Sequence, residues 1–352
     1  LPWDSSPLQA DEGMDRIEVL HKVEIEPALI ADAMARALTL ARAHEGATAP
    51  NPPVGCVLLD SSGAMLAGGA HVRCGAPHAE AAAINAAREA GLADRIHAVV
   101  VTLEPCNHQG RTPPCADAIL QTSARALWIA CRDPDTRVAG GGADRLVRAG
   151  LEVHLLADLA DPRAPGLEAE AGRLIAPFSK RVAGGLPFIT VKQALSAVGG
   201  MTPPPGRKTF TSDSSLMLAH RLRRRADAIL TGSGTVLADD PAFTVRLTPD
   251  HPAKQRQLVI LDRRRRTPAA YLDAARARGL NPLVADDLEQ ALATIASSGA
   301  LEVLVEAGPL VTQAVLGSGL WDEHVLIQQA AAGDEDRVTI RRREYASPGR
   351  KE

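Results

Sequence analysis

Two series of short apolar runs alternate with helix-like segments along this chain, and that alternation limits what it can fold into. In the first series VGCVLLD (54–60), MLAGGAH (65–71), AVVVTLE (98–104), ALWIAC (126–131) and LEVHLL (151–156) read as strands. Residues 28–44 carry apolar side chains at helical spacing, and 78–91, 113–122 and 141–149 also read as helices. The second series runs through PFITVKQAL, a helix around 213–225, DAILTGSGTV, QLVILD, NPLVAD, a helix at 287–298, LEVLVEAG, a helix at 309–317 and DEHVLIQQA. Strands that alternate with helices make α/β sheets that are at least partly parallel. Between the two series, DPRAPG and VAGGLP break the pattern on either side of one helix. At about 150 residues per domain, 352 residues also give two domains. The expected organisation is a flexible leader over 1–26, a first domain over 27–158, a linker helix over 159–186, a second domain over 187–340 and a polar tail over 341–352.

Composition removes several function classes. Thirty-nine basic against 42 acidic residues leave a formal charge of -3, which is no footprint of a nucleic-acid coat or a polybasic membrane binder. Four Phe, three Trp and two Tyr are too few for a base-stacking platform. No run approaches the roughly 18 apolar residues of a membrane span. The opening LPWDSSPLQADEG is polar and acidic, unlike a signal peptide, and Met14 is a candidate start. Five Cys is an odd number in a long chain, so a reducing cytoplasmic setting with some thiols free for metal is expected.

The sharpest chemical signal is Pro77-His78-Ala79-Glu80, then Glu104-Pro105-Cys106, then Cys115. One imidazole and two thiolates can hold Zn²⁺ and leave a fourth position for water. Glu80 is then the non-ligand carboxylate that moves a proton from the water to the departing amine. His78 and Glu80 fall in a first helical turn, and Cys106 and Cys115 are expected at or near helix starts, where the dipole favours a thiolate. A lone His at a helix start usually caps it, and two Cys nine positions apart are usually plain thiols. The combination on a helix–strand–helix frame is far more specific. Cys56, Cys74 and Cys131 are expected to be small buried or partly buried thiols.

APNPPVGCV (49–57), GAPHAEAAAI (75–84) and VTLEPCNHQGRTPPCADAI (101–119) resemble the deaminase half of the RibD family of bifunctional riboflavin biosynthesis proteins. The resemblance implies a cytidine-deaminase-like α/β/α domain with zinc on His78, Cys106 and Cys115 and Glu80 as proton shuttle. It implies a diaminopyrimidinone substrate carrying ribose 5′-phosphate. Asn51, His71, His108 and Arg111 match positions that contact substrate. The amide of Asn51 suits a base edge, and His108 and Arg111 suit a phosphate.

PFITVKQALSAVGG (187–200), LRRRADAILTGSGTVLADDPAFTVR (222–246) and VLVEAGPLVTQAVLGSGLWDE (303–323) resemble the reductase half of the same family. That implies a dihydrofolate-reductase-like α/β domain that uses NADPH to reduce the ribosyl group to ribityl. Arg223, Phe243, Arg246 and Glu306 match its substrate-binding positions. Lys192, Ala194, Thr209, Thr235, Asp239 and Gly308 match its cofactor-binding positions, and a helix opening after Gly308 suits a pyrophosphate. The remaining arginines of 221–225 and 263–266 are expected on solvated faces. Four places depart from the family pattern: Val198 replaces an acid, Arg207 and Thr209 replace Ser and Trp, Ala307 replaces a Gly, and QQAAAGDED (328–336) loses a Pro-Gly signature.

The expected function is zinc-dependent deamination followed by NADPH-dependent reduction on one small-molecule pyrimidine ribose-phosphate. The resemblance implies a homo-oligomer with no nucleic-acid or membrane partner. The alternative is an active deaminase whose reductase-like domain is silent or takes another pyrimidine. A structural zinc protein and a nucleic-acid-editing deaminase fit less well, because Glu80 has no structural need and the basic excess is missing.

Overall fold

The computed structural model describes residues 25–107, 113–135, 141–203, 209–330 and 335–343. His108, Arg111, Arg207, Lys208 and most of the expected leader and tail lie outside these residues.

The first domain comprises α1 (Pro27–Ala43), β1 (Gly55–Leu59), β2 (Met65–Ala70), α2 (Ala79–Glu89), β3 (Ala98–Leu103), α3 (Cys115–Leu120), β4 (Ala126–Cys131), α4 (Gly141–Arg148) and β5 (Glu152–Leu155). Its strands lie in the order β2-β1-β3-β4-β5. β1 runs antiparallel to β2 and β3, while β3, β4 and β5 are parallel. Successive strand residues face opposite sides, so the apolar runs build two cores. Val57, Leu59 and Val100 face Ile30, Met34 and Leu38 of α1, whereas Cys56, Leu58, Val99 and Val101 face Ala83 and Ile84 of α2 and Ile119 of α3.

Residues 159–186 form more than a tether. α5 (Ala164–Gly184) puts Ala164, Ala171 and Leu174 into the α1 core and reaches the second domain through Lys180, which pairs with Asp322, and Arg181, which donates to Ala296 O. Its amphipathic face explains this: a helix with an apolar stripe needs a surface to cover.

The second domain comprises β6 (Phe188–Leu195), α6 (Asp213–Arg225), β7 (Ala228–Gly232), α7 (Ser233–Asp239), β8 (Arg256–Leu261), α8 (Ala269–Ala277), β9 (Leu280–Ala285), α9 (Leu288–Ser297), β10 (Glu302–Val305), α10 (Pro309–Ser318), β11 (Glu323–Gln328) and β12 (Arg337–Arg342). The order is β12-β11-β6-β10-β7-β8-β9, parallel except for β12. Three differences from the sequence reading stand out. DAILTGSGTV stops being a strand at Gly232, where α7 begins. α8 was not expected. β12 was not expected either, and it takes the first two residues of the expected tail. RVTIRR has no apolar run because it is an exposed edge strand, held by its ladder to β11 rather than by burial.

From β7 the chain moves outward to β8, and from β10 it moves the other way to β11, so connections diverge at the carboxyl ends of two neighbouring parallel strands. Such a switch point leaves a crevice. The amino end of the same sheet meets the first domain. There a cleft of about 320 Å³ is lined by Ala47, Pro50, Lys254, Gln257 and Asn281 among others.

Candidate active sites

His78 is the residue before α2, in extended conformation, and its carbonyl accepts the first helical bond from Ala82 N. Gly69 lets this helix lie flush on β2, because a Cβ there would come within 2.4 Å of Ala83 N and 2.5 Å of Ala79 O. Cys115 opens α3. Cys106 lies in the loop after β3, near the start of α3, whose first residue serves it: Cys115 N donates to Cys106 Sγ at 3.3 Å. Glu104 steadies that loop, its two carboxylate oxygens accepting from Ala143 N and Asp133 N, both at 3.3 Å. No sequence signal marked Glu104 for this role, although it stands inside the quoted Glu-Pro-Cys string.

His78 Nδ1 lies 3.6 Å from Cys106 Sγ and 3.4 Å from Cys115 Sγ, and the three ligand atoms fall within 4.8 Å of one another. Tetrahedral zinc with Zn–S of about 2.3 Å and Zn–N of about 2.0–2.1 Å has an N···S edge of about 3.6 Å. The trio therefore fits zinc in both spacing and donor type. Its contact with Cys115, with help from His78 and against burial, lowers the Cys106 thiol well below the usual range, while the same contact pushes Cys115 upward. Glu80 is 3% exposed and hydrogen-bonded to Cys115, and burial raises its carboxyl above the usual range. A buried carboxyl group thus stands against the metal cage.

Asn51 and His71 come together beside this cage. Asn51 Nδ2 meets His71 Nε2 at 3.1 Å, and His71 Nδ1 meets Pro77 O at 3.1 Å, next to His78. The His71 and His78 rings are 5.2 Å apart, edge to face. Burial lowers the His71 pKa and keeps the ring neutral. Of the other three cysteines, Cys56 is buried and Cys131 partly so, whereas Cys74 is exposed, contrary to expectation. Cys74 lies in the loop after β2, beyond reach of either core.

The carboxyl end of the second sheet gathers charge. Glu306, just past β10, accepts from Arg223 Nε at 2.7 Å and Nη2 at 2.6 Å, and Lys192 Nζ is 2.9 Å away. Burial alone would raise the Glu306 carboxyl, but Lys192 and Arg223 outweigh it and hold it well below the usual carboxylate range. Arg223 lies 5.9 Å over the Phe243 ring, which is 2% exposed. Phe243 has φ +51°, a costly conformation for a bulky residue and the kind kept at binding sites. Thr244 joins the two guanidiniums: its carbonyl accepts from Arg223 at 3.2 Å and its hydroxyl from Arg246 at 3.0 Å. His220 was missed by sequence reading. Its Nδ1 accepts from Arg246 N at 2.9 Å and fixes this segment, but a His inside an Arg-rich helix carries no distinguishing pattern.

The cofactor set is less unified. Thr235 accepts from Gly308 N at 2.8 Å, linking α7 to the start of α10 across the crevice, with Asp239 exposed one turn further along α7. α10 has no side-chain cap and no acid in its first turn, so its free N–H groups suit a phosphate. This crevice fits a dinucleotide. Lys192, expected among the cofactor contacts, pairs with Glu306 at 2.9 Å. Ala194 packs beside Leu222 and Leu304 in a small apolar cluster, and Thr209 turns its hydroxyl to Thr211 at 2.9 Å. Arg224 and Arg225 are not solvated faces. Arg225 is held by Glu302 at 2.6 Å and Glu323 at 2.8 Å.

Residues 29–131 match the cytidine and deoxycytidylate deaminase zinc-binding region, and residues 187–342 match the RibD C-terminal domain. The chain is 38% identical over 294 residues to the riboflavin biosynthesis protein RibD of Mycobacterium tuberculosis, covering 82% of each. It is 33% identical over 317 residues to that of Aquifex aeolicus, covering 83% of this chain and 85% of the relative. Among solved structures, Acinetobacter baumannii RibD matches with a TM-score of 0.72 at 29% identity, covering 89% and 90% of the two chains. A Thermotoga maritima diaminohydroxyphosphoribosylaminopyrimidine deaminase/5-amino-6-(5-phosphoribosylamino)uracil reductase matches with 0.74 at 29%, covering 88% and 89%.

Proposed function

The chain belongs to the RibD family, as a riboflavin biosynthesis enzyme with deaminase and reductase activities, and from that premise we propose a substrate and a role for each residue. The substrate is the diaminopyrimidinone ribose-phosphate named for the Thermotoga relative, deaminated first and reduced second. The observation that carries this reading is the cage of His78, Cys106 and Cys115 with a buried Glu80 against it.

In the first domain His78, Cys106 and Cys115 hold the ion, which when bound supplies the Lewis acidity that makes water nucleophilic at neutral pH. Glu80 takes a proton from the attacking water onto its carboxylate and passes it to the departing amine. Asn51 gives one amide hydrogen to neutral His71, so its Oδ1 is left to accept from the pyrimidine edge. His108 and Arg111 complete the phosphate contact in this reading.

In the second domain Thr235, Asp239 and Gly308 hold the dinucleotide, with Lys192, Ala194 and Thr209 along its path. NADPH when bound supplies the hydride. Arg223 and Arg246 hold the substrate phosphate, Glu306 keeps Arg223 and Lys192 oriented, and Phe243 forms an apolar floor under the guanidinium. We read the enzyme as a cytoplasmic homo-oligomer. Two thiols in mutual contact favour a reducing compartment, and β12 is an edge strand with Val338 and Ile340 exposed. Among the described residues no helix is long and apolar enough to cross a membrane.

One coupled assay tests the reading. Purified enzyme given the diaminopyrimidinone ribose-phosphate should release ammonia first and oxidise NADPH only as deaminated product accumulates. NADPH oxidation that precedes ammonia release, or ammonia release with none, rejects it.

A further inference from the structure

The loop that carries Asn51 is gripped from the second domain. Arg224 Nη2 donates to Ala43 O at 2.8 Å, His251 Nε2 meets Glu45 O at 2.8 Å, and Lys254 Nζ donates to Gly46 O. These carbonyls lie at and just past the C-terminus of α1, where peptide oxygens lack helical partners and the dipole favours cations. The His251 tautomer follows from its neighbours. Its Nδ1 faces Arg224 Nη2 at 3.4 Å, and a guanidinium can only donate, so Nε2 carries the proton given to Glu45 O. Lys254 is nearly enclosed, and it also contacts Arg225 O at 3.1 Å and Asp227 at 3.0 Å. Gly46 makes the contact tight: at φ +82° it lies so close that a Cβ would stand 2.2 Å from Arg225 O.

Beyond Gly46 the chain enters a closed turn. Asn51 N donates to Thr48 O at 2.9 Å, and Thr48 Oγ1 donates to Asn51 O at 2.9 Å. From Asn51 the bonds continue through His71 to Pro77 O, beside His78. Hydrogen bonds joined by short covalent stretches therefore run from His251 and Lys254 of the reductase domain through the 46–51 loop to the deaminase cage.

We infer that His251 and Lys254 are positioning residues for deamination: the reductase domain holds the 46–51 loop so that Asn51 meets the pyrimidine. This rests on the reading of Asn51 as a base contact. The reductase crevice gains nothing comparable from these residues. They sit at the amino end of its sheet, near Glu302, and four residues of β10 separate that end from Glu306, about 13 Å at 3.3 Å per residue.

The test uses the full chain with Lys254→Met, His251→Leu and His251→Gln, alongside Asn51→Ala. Ammonia release gives kcat and KM for the diaminopyrimidinone ribose-phosphate, and zinc content and NADPH oxidation with the deaminated product are measured on the same samples. Lys254→Met and His251→Leu should each raise the deaminase KM about tenfold and leave kcat within about twofold. Zinc content and reduction should stay as in the parent. His251→Gln, which keeps an N–H for Glu45 and an acceptor for Arg224, should restore the parent KM. An unchanged KM in both disrupting variants, with KM raised in Asn51→Ala, overturns the inference and leaves the base contact standing. An unchanged KM in Asn51→Ala removes the reading beneath it, and the inference falls too. Loss of zinc or reduction in both disrupting variants marks a general structural role and also overturns it.

Discussion

The two ends of this molecule solve different problems, and their residues differ accordingly. At the deaminase cage the protein must hold an ion and set a carboxyl against it. Three ligand atoms lie within 4.8 Å of one another and a buried carboxyl touches one of them, so each identity is dictated. At the reductase crevice the hydride belongs to the cofactor, and the protein supplies binding and orientation. In the proposed reading that work is spread over Lys192, Arg223, Phe243, Thr235 and Glu306 on several elements. A distributed site tolerates change. Val198, where the family carries an acid, lies in a tight turn with its side chain 94% exposed, and Ala307 follows the buried Glu306 without disturbing its ion pairs.

The sharpest way to break this contrast is Glu80→Gln. It should lower deaminase kcat by about a thousandfold while zinc content and NADPH oxidation with deaminated product hold. Retained turnover would show that the proton shuttle lies elsewhere. Cys115→Ser comes next: it should release zinc, read by metal analysis, and abolish ammonia release with reduction intact.

Glu306→Gln tests the distributed site. It leaves Arg223 and Lys192 without their buried partner, so the second domain should lose roughly 3 kcal/mol of stability and reduction should fall at least tenfold, while deamination persists. A pH series probes the junction between the halves. Burial lowers the His251 pKa to about 4 from an ordinary 6.5, with Arg224 and Lys254 adding to the effect and Glu45 O and Asp250 opposing it. A group with a depressed folded pKa contributes stability that is complete above its unfolded value and lost as pH falls. The melting temperature should therefore decline from pH 6.5 toward 4, and His251→Gln should flatten part of that decline. The smallest effect belongs to Val198→Asp, which adds a solvated carboxylate. Reduction should change by less than about threefold, since exposed charges are well screened. A large gain would make that acid's absence a real deficit.

Most strands and helices of both domains, α8 excepted, were legible because apolar periodicity reports burial on a sheet face, and β1, β3, β4, β7 and β8 all follow it. The zinc trio was legible because metal chemistry restricts the residue types. β12 was not, since an edge strand needs only a partner ladder. Arg225 was not, since a guanidinium enclosed by Glu302 and Glu323 has the same local sequence as a solvated one.

By itself the sequence determined two α/β domains, the metal cage and the carboxyl that stands beside it. These depend on short-range pattern and on donor chemistry that few residues can supply. Only the tertiary structure decided that α5 belongs to both domains, that Lys192 and Arg223 share Glu306, and that His251 and Lys254 grip the loop leading to Asn51. Those are pairings across 83 to 208 positions, made by ordinary charged residues. Nothing in local sequence distinguishes a cation that will be buried against a distant carbonyl from one left in water.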